Sequence, residues 1–345
     1  MPTPRLRRRS LLLGSLAAPF LLPASHANAA TAVPLTVRLD WTPWGAHAAV
    51  HLANVKGWYQ AAGLDMTIQD GNGTNQTVQI LGGGTGDIGH AALSSMMIAR
   101  DKGFDLRAIA CYCRNSDIGV MVPVDSNIRT IADLRGKKIG HTASSLETPF
   151  LGDFLKAGGL TLADVDMVNL DGAAKLAAYL SGKLDGAFSS IPFFVPAVQP
   201  KRPSRAILLS DAGLHLPSYG LFARDATIAD KKDALTRFVS ITGGAWAYIR
   251  AGHQQEAVDA IRKDRPNATL SPAVMLGQIN SFLTFFPTQA TAGKPVGWMA
   301  PADWVGALTT IETAKLVTHD LKPTDYYTNA LLNDAEYNKV AGAKA

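Results

Sequence analysis

Cysteine is nearly absent. The 345 residues contain two, Cys111 and Cys113, in the stretch ACYCRN. That excludes a disulfide-stapled framework. No histidine or further cysteine accompanies them at ligand spacing, so they offer no structural zinc pattern either. Two apart on a strand, they share a face, and a bridge between them would close a tight, strained ring. They read as small apolar residues of a buried strand, with a redox or metal role as the competing reading. Charged residues are scarce as well, at 18% against 47% hydrophobic, which excludes a disordered chain and leaves enough apolar material for a sizeable core. Beyond residue 29 no apolar stretch is long enough to span a bilayer. There is no GxSxG elbow and no metalloprotease motif. GGGTGD (82–87) lacks the lysine of a phosphate loop and reads as a helix end and turn. No fixed-period repeat or low-complexity tract is present.

The positive charge is concentrated at the start. Arg5, Arg7, Arg8 and Arg9 precede an apolar stretch from Leu11 to Leu22, and Ala27-Asn28-Ala29 supplies a small-x-small cleavage site. Residues 1–29 therefore read as an export signal, and Arg8-Arg9-Ser10-Leu11-Leu12 resembles the twin-arginine type. The formal net charge is +5. Without the four arginines, 29 basic residues face 28 acidic ones. The basic character is thus mostly the signal's, and nucleic acid is not an expected partner. The mature protein is expected in a bacterial periplasm. No cysteine follows the signal to carry a lipid anchor.

From Leu35 onward, short apolar runs alternate with amphipathic ones: LTVRLDW, then HAAVHLANVKGWYQAAG; LDMTIQDG, then NQTVQILGGG; GDIGHA, then SSMMIARDKG with a serine cap. A second series begins near Ser126, and the composition turns helical after YGLFARD. Such alternation implies α/β architecture with mainly parallel sheets flanked by helices. The length suits two lobes better than one ordinary domain. DAEYNKVAGAKA at the end reads as a loosely held tail, 332–345.

Three stretches in order, DWTPWGAHAAVHLANVKGWYQAAGLDMTIQDGNGTNQTVQIL, GDIGHAA and IADLRGKKIGHTASS, resemble the periplasmic substrate-binding proteins of ABC importers. The resemblance is to the group for nitrate, sulfonates, taurine and thiamine-pyrimidine precursors, and LDWTP is most similar to the pyrimidine-precursor branch. The resemblance implies a type II periplasmic binding protein with two crossover strands. Its first lobe would combine 34–121 with 219–331, and its second would be 122–218, with crossovers near Gly119–Val122 and Tyr219–Phe222. It further implies a monomer that closes by hinge motion on a small-molecule ligand and docks on a permease served by an ATPase, with no cofactor.

In open parallel sheets, ligands bind beyond the carboxyl ends of strands. The strand ends here supply the candidate ligand-binding residues Asp40, Trp41, Trp44, Asn75, Gly89, His90, Asn115, Thr142, Ser144, Ser145, Ser189 and Ser190; Glu147 in the first turn of the next helix and Tyr219 at the expected second crossover join them. A rigid indole at a cleft edge stacks on a planar ring. Asp40 and Glu147 would accept hydrogen bonds from ring amino groups and favour a protonated aminopyrimidine. Nitrate, a sulfonate or an aromatic carboxylate would call for convergent positive charge, for which only Arg114, His90 and His141 are available among these loops. Plainer readings stand beside these: Trp41 and Trp44 as core rings, Asp40 as a turn cap, Glu147 as a complement to a helix dipole, Tyr219 as hinge packing. Trp58 reads as helix packing. His47 and His51, four apart on one helix face, lack a third ligand nearby and read as a packed pair rather than a metal site.

An enzyme is the contrasting reading. Some proteins of this fold make the pyrimidine themselves, using a lysine and a histidine after the third strand and a cysteine cluster near the second crossover. GDIGHAALSSMM and LHLPSYGLF contain neither lysine nor cysteine, so catalysis is not expected. A solute sensor without transport would share the same binding half.

Overall fold

The computed structural model describes Met1 and residues 32–343 other than 144, 146, 270, 319 and 320. The expected export signal, beyond Met1, and the candidate Ser144 lie outside the described residues. Ten strands are described: β1 (Val33–Arg38), β2 (Leu64–Gln69), β3 (Ile88–Ala92), β4 (Leu106–Cys111), β5 (Ile118–Pro123), β6 (Lys138–His141), β7 (Asp166–Asn169), β8 (Gly186–Ser190), β9 (Ser204–Leu208) and β10 (Tyr219–Arg224). They form two five-stranded sheets, ordered β2-β1-β3-β10-β4 and β7-β6-β8-β5-β9. The expected α/β architecture with helices on the sheets is present. No helix among the described residues is long and apolar enough to cross a membrane.

Both sheets are mixed, and the expected mainly parallel arrangement holds: in each, four of the five strands run one way and one runs against them. β1 pairs in parallel with β2 and β3, and β6 with β7 and β8. β10 runs antiparallel to β3 and β4, and β5 antiparallel to β8 and β9. The cause is topological. β5 and β10 each follow a segment arriving from the other sheet, residues 112–117 and 209–218. They therefore enter at the edge where the parallel strands finish. Tyr219 at the start of β10 pairs with Ala92 at the end of β3, and Ile118 with Ser190 in the same way. Strand ends and strand starts from both sheets thus converge, which is the arrangement that builds a cleft.

The stretches expected as crossover strands are strands, each entered directly after the chain changes sheets. Ile118–Pro123 is buried throughout and paired on both sides, and Tyr219–Phe222 belongs to β10. A doubly covered central strand is apolar at every position, so its sequence does not show where the chain changes sheets.

One helical layer on the first sheet contains Ala48–Val55, Lys232–Arg250, Gln254–Asp264 and Pro272–Leu283, and its core includes Trp246, Phe238 and Phe282. Another core joins Leu81, Met97, Trp304 and Tyr326. The Leu93–Asp101 helix begins at Leu93 with Ala92 as its N-cap and no side-chain cap bond, so the expected serine cap is not used. The expected loose tail is also corrected. Asp334–Ala341 is a helix packed on Lys232–Arg250, with Val340 buried. A Cβ on Gly244 would lie 2.6 Å from the Tyr337 carbonyl oxygen, so this helix pair touches only because glycine stands there. Cys111 and Cys113 are buried and free; burial pushes the Cys111 thiol up to about 12, as the packing reading requires.

Candidate functional site

A cavity of about 270 Å³ opens where the strand ends of the two sheets converge. From the first sheet it receives Asp40, Trp41 and Trp44 after β1, and Asn72, Gly73 and Thr74 after β2. From the second come Thr142, Ser145 and Glu147 after β6, and Asp171, Gly172 and Lys175 after β7. Ser189, Ser190, Phe193 and Phe194 contribute from the end of β8 and the helix after it, and Tyr219 stands at the start of β10.

Local backbone geometry makes this wall. The loop after β2 folds back on the loop after β1: the Gly71 amide donates to Trp41 O at 3.1 Å and the Gly73 amide to Asp40 O at 2.6 Å. A Cβ on Gly71 would sit 2.1 Å from the Leu39 carbonyl oxygen, and Gly73 has φ 125°, a region only glycine enters readily. Those two glycines let the loops lie against each other.

Trp44 is 1% exposed yet borders the cavity. Its ring packs edge to face with Phe193 and Tyr219, each centroid 5.3 Å away, and its Nε1 has no hydrogen-bond partner. Trp41 is half-buried beside it. Both indoles therefore serve core and cavity together. Trp58, as expected, packs, edge-on to Tyr248.

Behind this wall Asp40 accepts from His47 Nε2 at 2.7 Å. Burial pushes its carboxyl up, but the imidazoles of His47 and His90 outweigh that and hold it well below the usual carboxylate range. Burial pulls His47 itself down to about 4, against the attraction of Asp40. At neutral pH, then, Asp40 is ionised and His47 neutral. His51 points elsewhere, bonded to Asp264 at 2.6 Å. The histidine pair is thus divided between two aspartates.

On the opposite wall Lys175 Nζ donates to Phe188 O at 2.7 Å and lies 3.7 Å from Glu147 Oε1. Both side chains are almost fully buried. Burial lowers the Lys175 ammonium, opposed by Glu147. Ser190 Oγ donates to the fully buried Asp117, whose carboxyl burial pushes up to about 6.

Nine of the sequence candidates meet here: Asp40, Trp41, Trp44, Thr142, Ser145, Glu147, Ser189, Ser190 and Tyr219. Four lie elsewhere. Asn75 faces a separate hollow. Gly89 is covered by the Phe222 ring. His90 is buried behind Asp40, stacked on Tyr219 at 5.9 Å. Asn115 donates to Pro287 O at 2.7 Å and borders a third hollow with Arg114. Arg114 is no anion ligand, because its guanidinium is spent on the carbonyls of Phe286, Pro295 and Trp298.

Sequence reasoning missed Asp171, Lys175, Phe193 and Phe194. Asp171 ends the run VDMVNLD, so the strand-end rule that found the others would have found it too. Lys175 sits one turn inside a helix, and IPFFVPAV reads as plain core.

The profile of the NMT1/THI5-like family matches residues 44–257. A protein of Haemophilus influenzae assigned provisionally to thiamine biosynthesis is 26% identical over 268 residues, covering 75% of this chain and 83% of its own. The 4-amino-5-hydroxymethyl-2-methylpyrimidine phosphate synthase THI5 of Saccharomyces cerevisiae is 31% identical, but over 108 residues, 31% of this chain and 32% of the synthase. Among solved structures, the periplasmic aliphatic sulphonate binding protein SsuA of Escherichia coli superposes with a TM-score of 0.64 at 19% identity, over 85% of this chain and 91% of SsuA. The fold is that of the periplasmic binding proteins.

Proposed function

We propose a role that starts from membership: this chain belongs to the NMT1/THI5-like family, and it serves as the periplasmic solute-binding component of an ABC importer. Its solute is a small flat heterocycle, an aminopyrimidine of the thiamine-precursor kind, held between the lobes and handed to a permease. The observation that carries this reading is the charge of the cavity wall. Among the described residues, Asp40, Glu147 and Asp171 line it against Lys175 alone, and Lys175 is already engaged by Glu147 and a carbonyl. Three carboxylates among hydroxyls and an amide, with aromatic rings from Trp41, Trp44, Phe193 and Tyr219, suit a planar ring that donates hydrogen bonds or carries positive charge. The cavity's three carboxylates against one ammonium disfavour nitrate and sulfonates.

Synthesis of the pyrimidine is the alternative reading, and the yeast synthases support it over less than a third of the chain. GDIGHAALSSMM contains no lysine, which favours binding over catalysis. A thermal-shift panel of 4-amino-5-hydroxymethyl-2-methylpyrimidine, its phosphate, nitrate, alkanesulfonates and aromatic carboxylates tests the proposal. The aminopyrimidine should raise Tm. Stabilisation by nitrate or sulfonates alone would overturn the choice of solute.

A further inference from the structure

We propose that Asp40, His47 and His90 form a binding site for one divalent transition cation of zinc-like character, set immediately behind the cavity. The three come from separate pieces of the fold. Asp40 lies in the loop after β1, His47 closes the single turn Gly45–His47, and His90 is the middle residue of β3. One ligand atom from each lies within 4.8 Å of the others, and all three residues are buried.

Two imidazole nitrogens and a carboxylate oxygen are the donor set that suits zinc and its neighbours, rather than calcium or magnesium. A tetrahedral ion with ligands at about 2.0–2.2 Å holds its donors roughly 3.3–3.5 Å apart. His90 Nδ1 stands 3.7 Å from Asp40 Oδ1, close to that spacing. His47 Nε2 is nearer, at 2.7 Å, so an ion would replace this hydrogen bond by a small rotation of the carboxylate.

An independent observation points the same way. His90 is 0% exposed, and among the described residues neither of its ring nitrogens has a hydrogen-bond partner. An imidazole sealed from water with no hydrogen bond at either nitrogen, and only the 3.7 Å approach to Asp40 at one of them, is a costly arrangement. A metal ion between His90 and Asp40 gives one nitrogen a bond. The surroundings are aromatic and dry, which keeps bulk water from an ion there: Tyr219 stacks on His90, and the Trp44 ring stands edge-on to His47 at 5.8 Å. Three protein ligands leave a fourth position for water or a donor atom of the solute. Asp40 borders the cavity, so the ion would lie within reach of its contents. An ion on Asp40 would offset its charge at the cavity wall, so the solute reading above refers to the metal-free cavity and is tested apart from the metal.

The test uses the tag-free mature chain, stripped with a chelator and desalted. Zinc is titrated by calorimetry and cobalt(II) by visible absorption. The expected result is one equivalent bound, with the intense bands of four-coordinate cobalt. In His90→Gln, affinity should fall by at least about 100-fold, with circular dichroism unchanged. His253→Ala, which removes a half-buried surface imidazole beside Glu256, should bind like wild type. Absence of binding, or binding that His90→Gln leaves intact, overturns the proposal; the second outcome means an adventitious surface ion. If His90→Gln fails to fold, proton NMR of the cobalt form decides. Hyperfine-shifted signals from two imidazoles support the site, and none or one contradicts it. Aminopyrimidine binding measured in the presence of chelator reports separately on the solute.

Discussion

Trp44 and Phe193 meet across the two halves of the chain, ring edge against ring face, with centroids 5.3 Å apart and planes at 89°. Trp44 follows the first strand of one sheet, and Phe193 lies on the helix after the last parallel strand of the other. Gln278 ties the same two regions: it accepts from the Gly45 amide at 3.1 Å and donates to Phe193 O at 3.0 Å. The back of the cavity is therefore a joint as well as a wall.

Trp44→Ala should cost about 3–5 kcal/mol of stability, the range for a buried aromatic cut to alanine, read by urea denaturation. Trp41→Ala, half-buried at the same cavity, should cost much less. It should weaken a flat ligand by about 1–2 kcal/mol, read from Kd. Equal effects of the two substitutions on stability would contradict this division of roles.

Lys175→Met leaves the Glu147 carboxylate buried without its ammonium partner. A loss of about 3–5 kcal/mol is expected. The double substitution Lys175→Met/Glu147→Leu should recover most of it, because the uncompensated charge is then gone. A double-mutant cycle measured by denaturation checks the recovery. Additive losses would show that packing, not charge pairing, dominates this wall.

Asp117 gives a pH dependence with a definite sign. Its folded-state value is about 6 against 3.8 for the free side chain. Between those values the folded protein holds the proton that the unfolded chain releases. Stability therefore falls as pH rises through this window, by about 2–3 kcal/mol. Asp117→Asn removes the term, so the variant should match wild type near pH 3.5 and exceed it near pH 7.5. A difference curve that is flat from pH 4 to 7 would contradict the assignment.

How much of this was legible in the sequence depends on what each residue answers to. Asp40, Thr142 and Ser190 were placed at the cavity because strand ends in α/β sheets face the ligand side, a rule of topology that periodicity reveals, whereas Tyr219, which opens β10, came from the expected crossover. His90 and Gly89 were misplaced by the same rule: β3 is central, and both residues sit within it, paired with Leu221 and Phe222 of β10. Strand direction was hidden because parallel and antiparallel central strands are equally apolar. The meeting of Asp40 with His90 depends on tertiary pairing, which one-dimensional spacing does not encode.

The C-terminal helix is the other feature its composition concealed. Removing residues 332–345 strips Val340 and Tyr337 from the Lys232–Arg250 helix, and Tyr337 accepts from the Val296 amide at 3.2 Å. A loss of at least about 2–3 kcal/mol is expected from the exposed apolar surface, measured by denaturation. An unchanged midpoint would return the segment to the status of a tail.

The central claim is that an ionised Asp40 makes the cavity a site for hydrogen-bond donors and cations. Calorimetric titration of chelator-treated wild type and Asp40→Asn with 4-amino-5-hydroxymethyl-2-methylpyrimidine tests it most directly. Loss of a charge-assisted bond of about 1.5–3 kcal/mol should weaken Kd by roughly 10- to 100-fold in the variant, with nitrate and methanesulfonate silent in the wild type. Equal affinity in both proteins, or a sulfonate binding the wild type more tightly than the aminopyrimidine, would contradict it.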